Sequence, residues 1–215
     1  LGSTETRVIA SGRTDAGVHA YGQVASFRTE VQRPPSAMRD GLNAALPRDI
    51  ACLLAQPAHP DFHAIRSATG KLYRYVIRLG EVPSALGRDR AWQLRYALDL
   101  RAMAAALEHI VGTHDFTSFR AAGCAAKSPI RHLDVARIQA REEEIWIEFY
   151  GAGFLRHMVR NLVGSLMEVG RHKREPTWFA ELLEARNRQL AGPTAPALGL
   201  HLVRVDYPAD LLTTG

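Results

Sequence analysis

The sequence predicts an α+β fold, a mainly antiparallel sheet with helices packed on it, and three observations carry that prediction. Residues 70–79, GKLYRYVIRL, alternate strictly between two faces, the period of a strand. Two more apolar runs, 133–138 and 145–150, flank a charged Arg-Glu-Glu-Glu turn and read as an antiparallel hairpin in the middle of the sheet. Behind Asp99, an N-capping residue type, Met103, Leu107, Ile110 and Val111 recur at helical spacing until Gly112 closes the helix.

The other elements follow in chain order. Residues 7–10 form a short strand that delivers the chain to a glycine-bearing turn, and 23–27, Gln-Val-Ala-Ser-Phe, alternate as a half-buried strand leaving it. Pro34-Pro35-Ser36 opens a helix with Met38, Leu42 and Leu46 at helical spacing, ended by Pro47 and expected in the core. Residues 50–54, Ile-Ala-Cys-Leu-Leu, read as a buried strand, and 57–61, Pro-Ala-His-Pro-Asp, as a linker. This gives a boundary near Asp61 between an N-terminal half, 1–61, and a C-terminal half, 62–215. The arginine-bearing segment 80–95 is expected as a loop, and 154–164 as a helix with Phe154, Met158 and Leu162 on one stripe and Arg156 and Arg160 on its neighbour. A last helix after Pro176 carries Trp178, Leu182 and Leu183, and a final strand runs to Tyr207.

Composition narrows the function classes. The chain has 215 residues and is 47% hydrophobic, enough for one large domain or two small ones around a substantial core. A balance of 27 Lys+Arg against 22 Asp+Glu, with a sequence pI near 9.6, suits a polyanionic partner. The two cysteines, Cys52 and Cys124, form no Cys-x-x-Cys pair, which argues against a disulfide framework or zinc cluster and for a reducing, cytoplasmic setting. His59 and His63 straddle a proline and cannot share a helical face as metal ligands. No apolar run approaches the roughly 18 residues of a membrane span, and the expectation is a soluble protein.

The chemistry concentrates in residues 11–27, SGRTDAGVHAYGQVASF, where one carboxylate, Asp15, lies between Gly12 and Gly17 and two residues after Arg13. Glycines permit backbone angles and close approaches that a Cβ forbids, and a loop on a rigid strand is a common place for reactive groups. By residue type alone, an Asp between glycines fits a plain turn as well as a nucleophile. Tyr73 and Tyr75 fit either a core or a face that stacks on nucleobases. The run His114-Asp115-Phe116-Thr117-Ser118 holds the three residue types of a hydrolase triad. It lacks the G-x-S-x-G elbow, and neighbours in sequence do not have triad geometry.

The stretch GRTDAGVHAYGQVASF resembles the active-site signature of the tRNA pseudouridine synthase A family, in which the Asp of G-R-T-D-A-G-V-H is the nucleophile. The resemblance extends to Tyr73-Arg74-Tyr75, to 114–120, HDFTSFR, to 154–164, FLRHMVRNLVG, and to the close 191–200, AGPTAPALGL. One departure is 63–68, HAIRSA, where the arginine, Arg66, stands one place later than in the family's H-A-R-F-S-A. Family members also carry a strand, a Tyr-Asp-Gly turn and a helix ahead of this point, so the N-terminal half is expected to lack its first strand and helix.

The resemblance implies two related α/β halves forming one extended, mainly antiparallel sheet, with helices on one face and a central catalytic cleft. It implies Asp15 as nucleophile, Arg160 paired with it to keep it ionised and oriented, and Tyr73 against the target base. Arg13 would hold phosphates, and His19, at the end of the signature, would bind substrate. It further implies a homodimer acting on tRNA positions 38 to 40 in the anticodon arm, with no metal and no cofactor. The competing readings are an RNA-binding module without activity and a related synthase with another RNA target.

Overall fold

The computed structural model describes residues 6–85 and 87–212. In chain order its elements are β1 (Ile9–Ala10), β2 (His19–Ala20), β3 (Ala25–Ser26), α1 (Pro35–Ala45), β4 (Gly70–Leu79), β5 (Trp92–Leu94), α2 (Leu100–Glu108), β6 (Gly112–Asp115), β7 (Ile130–Arg141), β8 (Glu144–Gly151), α3 (Met158–Gly170), α4 (Trp178–Ala185) and β9 (Leu200–Asp206). They fall into two compact units. One comprises Leu1–Arg13, Val24–Thr69 and Asp206–Gly215, the other Thr14–Gln23 and Gly70–Val205. This division by contacts differs from a single cut at Asp61, because the chain leaves the first unit for ten residues around Asp15 and re-enters it at Val24.

The larger unit is a seven-stranded sheet in the order β2-β9-β4-β8-β7-β6, with β5 pairing β4. β4 pairs antiparallel with β8, β8 with β7 and β7 with β6, whereas β2 runs parallel to β9 and β5 to β4. The alternation in β4 sorts its side chains as expected: Tyr75 and Ile77 are fully buried in the core, while Arg74 and Arg78 pair with Glu148 and Glu144 on the opposite face. Ile147 and Phe149 of β8 join Tyr75 and Ile77, and the helices cover this face with Met103 and Leu107 of α2, Leu162 and Leu166 of α3, and Phe179 and Leu182 of α4. Asp99 caps α2 as its type predicts, accepting from the amides of Arg101 and Ala102 at 3.0 and 2.9 Å. The result is a mixed α/β unit dominated by antiparallel pairing.

Several expectations are corrected here. Val111 is 42% exposed, because α2 ends at Glu108 and the helical period no longer applies beyond it. The helix expected from Phe154 begins at Met158. His157 takes φ +60°, outside the helical region, so Phe154 and Arg156 leave the stripes assigned to them. The segment 80–95, expected as a loop, contains β5, which gains its partner from β4, and residues 112–115 form β6 against β7. The 113–120 run is structural: Asp115 caps Thr117 at 2.9 Å, and Ser118 Oγ donates to the Leu182 carbonyl at 2.5 Å.

In the smaller unit β1 and β3 pair antiparallel, Ile9 opposite Ser26, and the Ser11 amide continues the ladder to Val24 at 2.7 Å. Tyr207 packs on Phe62 and donates its hydroxyl to the Ala64 carbonyl at 2.8 Å. Two expectations of burial fail. No residue of α1 is buried, and 50–54 is neither strand nor core, with Leu53 76% and Leu54 72% exposed. The Asn43 side chain takes both backbone groups of Cys52, at 2.9 and 2.7 Å, in place of a neighbouring strand. Among the described residues no helix is long and apolar enough to cross a membrane.

Candidate active site

The Asp15 turn is built by backbone before side chains enter. The Val18 amide donates to the Asp15 carbonyl at 3.1 Å, and Gly17 between them takes φ +82°, the value that the third residue of a type II turn requires. A Cβ on Gly17 would stand 3.4 Å from Ala197 Cβ, so the turn also lies tight on the segment before β9. Val18 packs against the core, and β2 then pairs with β9, His19 opposite His201. These contacts hold Asp15 at a fixed place beside the sheet, its side chain one-third exposed at 33%.

Two nitrogen donors meet that carboxylate. Arg160 donates from Nη1 to Asp15 Oδ2 at 2.9 Å, and His157 Nε2 lies 3.1 Å from the same oxygen. Arg160 is only 16% exposed. Its Nε donates to the Ala195 carbonyl at 2.8 Å, so one face of the guanidinium is fixed by backbone and the other by Asp15. Both partners belong to the N-terminal end of α3, where unpaired amides and the helix dipole favour an anion.

Tyr73 on β4 completes the cluster. Its ring meets Phe154 edge-on, centroids 4.9 Å apart. Burial chiefly, and the nearby Asp15 charge secondarily, push its hydroxyl up to about 12. Tyr75, two residues on, is core, its hydroxyl donating to the Pro196 carbonyl at 2.8 Å.

Behind the cluster, α3 packs unusually close to residues 192–195. A Cβ on Gly164 would stand 1.6 Å from the Pro193 carbonyl oxygen, and one on Gly192 2.7 Å from Ser165 Cα. Arg188 then ties the segment down, donating to the Gly192 carbonyl at 2.9 Å and to Asn161 Oδ1 at 3.1 Å. Thr194 reaches the same Asn161 oxygen at 2.6 Å. Buried Asn161 is thereby a hub between α3 and the segment that holds Arg160.

The structure thus brings Asp15, Arg160 and Tyr73 together. His19 is four residues along, its Nε2 hydrogen-bonded to the Asp89 carbonyl at 2.7 Å and its ring stacked on His201 at 5.0 Å. Arg13 is exposed and belongs to the smaller unit. His157 is the group sequence reasoning missed. Its signal was a titratable side chain three residues before Arg160, obscured by reading the segment as regular helix. Among the described residues no group of three His, Cys, Asp or Glu gathers as a metal site would require.

Comparison with known proteins bears on the same residues. The chain matches the family described as tRNA pseudouridine synthase over residues 2–65 and 106–208, which include Asp15, His157 and Arg160. It belongs to the tRNA pseudouridine synthase family. It is 49% identical to the tRNA pseudouridine synthase A of Geobacter sulfurreducens over 201 residues, 94% of this chain and 82% of the relative. It is 46% identical to that of Moorella thermoacetica over 211 residues, 96% and 84% of the two chains. With the synthase of Pseudomonas aeruginosa the identity is 47% over 206 residues, 94% and 71%. The chain is accordingly an isomerase with the pseudouridine synthase fold.

Proposed function

We propose that this enzyme converts uridine to pseudouridine at positions 38 to 40 of the tRNA anticodon arm, with Asp15 as nucleophile. The observation that carries this reading is the Asp15–Arg160 pair, a carboxylate oriented by a largely covered guanidinium, 16% exposed, and left one-third open to solvent. The reaction breaks the C1′–N1 bond, rotates the uracil, joins C1′ to C5, releases the C5 proton and protonates N1. No electrons are exchanged and no outside group is transferred. A carboxylate is anionic at neutral pH and needs no neighbouring base to act as nucleophile. Addition at C6 of the ring and attack at C1′ of the ribose both begin from it.

A uridine inside an RNA stem-loop must leave its stack to reach a carboxylate, at a cost of a few kcal/mol. Tyr73 is the receiving surface, since an aromatic face offsets about 1–3 kcal/mol per base. Arg13 holds backbone phosphates. His19 offers Nδ1 as an acceptor for substrate, because its Nε2–H is donated to the Asp89 carbonyl. The basic balance of the chain supports a tRNA partner, and we extend the reading to a homodimer in the cytoplasm.

The test is tritium release from tRNA carrying 5-tritiated uridine, followed by mass-spectrometric mapping. The expected result is turnover at positions 38 to 40, abolished in Asp15→Ala while tRNA affinity stays within about 3-fold and falls with added salt. Turnover that survives Asp15→Ala, or pseudouridine at other positions alone, would overturn the assignment.

A further inference from the structure

The two donors that reach Asp15 reach one and the same oxygen. Arg160 Nη1 and His157 Nε2 lie 2.9 and 3.1 Å from Oδ2, and among the described residues no hydrogen bond or ion pair involves Oδ1. The pair arises from two separate devices. Arg160 is aimed by its side-chain bond to the Ala195 carbonyl. His157 is aimed by its own backbone, at φ +60° and ψ 4° immediately before α3, a region sparsely populated by residues other than glycine and met more often by histidine, asparagine and aspartate. A left-handed residue at a helix entry, held where a helical φ was locally available, indicates that the surrounding contacts over-determine it.

We propose that His157 is a positioning residue for the nucleophile. With Arg160 it pins Oδ2 from two directions and leaves Oδ1 as the oxygen that faces substrate. The proposal rests on Asp15 being the nucleophile. A single donor fixes a point on a carboxylate but lets its plane pivot about that point. A second donor on the same oxygen, approaching from another direction, removes the pivot. It does so without engaging the attacking oxygen, whose lone pairs a hydrogen bond would make less nucleophilic. A carboxylate accepts only, so the neutral imidazole carries its proton on Nε2. That N–H is the atom the proposal depends on.

The experiment compares His157→Gln with His157→Leu by single-turnover tritium release at saturating tRNA, with tRNA affinity measured separately by filter binding. Both side chains are unbranched at Cβ and similar in volume, and both must adopt φ +60°, but only glutamine offers an N–H near the Nε2 position. Glutamine should react within about 5-fold of the parent and leucine roughly 30- to 100-fold slower, the scale of a misplaced reacting group. Affinities should agree within about 2-fold, since the pair acts on Asp15 and not on RNA. Equal rates for the two variants, or a rate loss explained by weaker tRNA binding, would overturn the proposal. His157→Gly serves as a second arm, because glycine relieves the backbone and removes the ring. It should be as slow as leucine, and parent-like turnover there would show that only the backbone mattered. Thermal unfolding of each variant confirms that a folded protein is compared. Asp15→Asn is run alongside: turnover in that variant would sink the nucleophile reading itself, whereas its absence together with equal glutamine and leucine rates would sink the His157 proposal alone.

Discussion

Arg160 and Ala195 hold each other by two reciprocal hydrogen bonds, Nε to the Ala195 carbonyl at 2.8 Å and the Ala195 amide to the Arg160 carbonyl at 3.1 Å. The guanidinium is therefore oriented from a backbone that is itself tied to α3, before it meets Asp15. A lysine keeps the charge but has no second, rigidly placed donor with which to hold the carbonyl. Arg160→Lys should lower kcat about 100-fold with KM changed by less than about 3-fold, as expected when a reacting group is mispositioned and binding is not. Steady-state kinetics on tRNA would check this, and a loss confined to KM would contradict it.

The close approach of α3 to residues 192–195 is the condition for that arrangement. A Cβ at Gly164 would overlap the Pro193 carbonyl oxygen, a backbone atom that cannot rotate away. Gly164→Ala should destabilise the protein by about 1–3 kcal/mol, the usual cost of overpacking. Because the displaced segment carries Ala195, turnover should fall as well. Urea unfolding measures the first effect; a neutral substitution would mean that the helix and segment separate without strain.

On the sheet face away from the helices, Glu148 is 2% exposed and divides its oxygens between Arg74 and Arg137. Burial alone would raise its carboxyl, but the hydrogen bonds and charges of the two arginines outweigh it and the net shift is downward. A depressed carboxylate contributes stability that is complete above its unfolded value near 4.3 and is lost as pH falls through the lower folded value. Glu148→Gln leaves two arginines without their partner, and Arg137 is half exposed, so the cost at pH 7 should be near 3 kcal/mol, the low end for a broken buried pair. The gap between parent and variant, measured by thermal unfolding, should close as pH drops below about 4. A gap independent of pH would show that packing alone is at stake.

What the sequence made legible was whatever depends on local period and on motif. β4 declares its two faces by strict alternation, and Asp99 declares the start of α2 by type. Asp15 and Arg160, 145 residues apart, were joined by resemblance, since no periodicity links a turn to a distant helix. Burial in the smaller unit was not legible. Met38, Leu42 and Leu46 have helical spacing whether or not a neighbour covers them, and the apolar run 50–54 reads alike as an inner strand or an exposed segment. His157 escaped because its contact with Asp15 depends on one backbone angle, a positive φ that histidine adopts without announcing it in sequence.

Tyr73 separates ring from hydroxyl. Its ring is the surface assigned to the flipped base, while its hydroxyl, raised to about 12 mainly by burial, stays protonated across the range in which the enzyme would be assayed. Tyr73→Phe preserves the ring and the edge-on packing on Phe154. Its turnover should lie within about 3-fold of the parent, with a superimposable pH–rate profile from pH 6 to 9. Tyr73→Leu removes the stacking surface and should weaken the reaction by the equivalent of about 1–3 kcal/mol. The linkage has its own sign. A tyrosine raised on folding contributes stability that is fully present below its unfolded value near 10 and is lost as pH climbs toward the folded one. The unfolding curves of parent and Tyr73→Phe should therefore keep a constant separation up to about pH 9. Beyond pH 10 the parent should lose stability relative to the variant. An alkaline limb in the parent's activity that disappears in Tyr73→Phe below pH 9 would instead mean that the hydroxyl ionises in the working range and takes part in the chemistry.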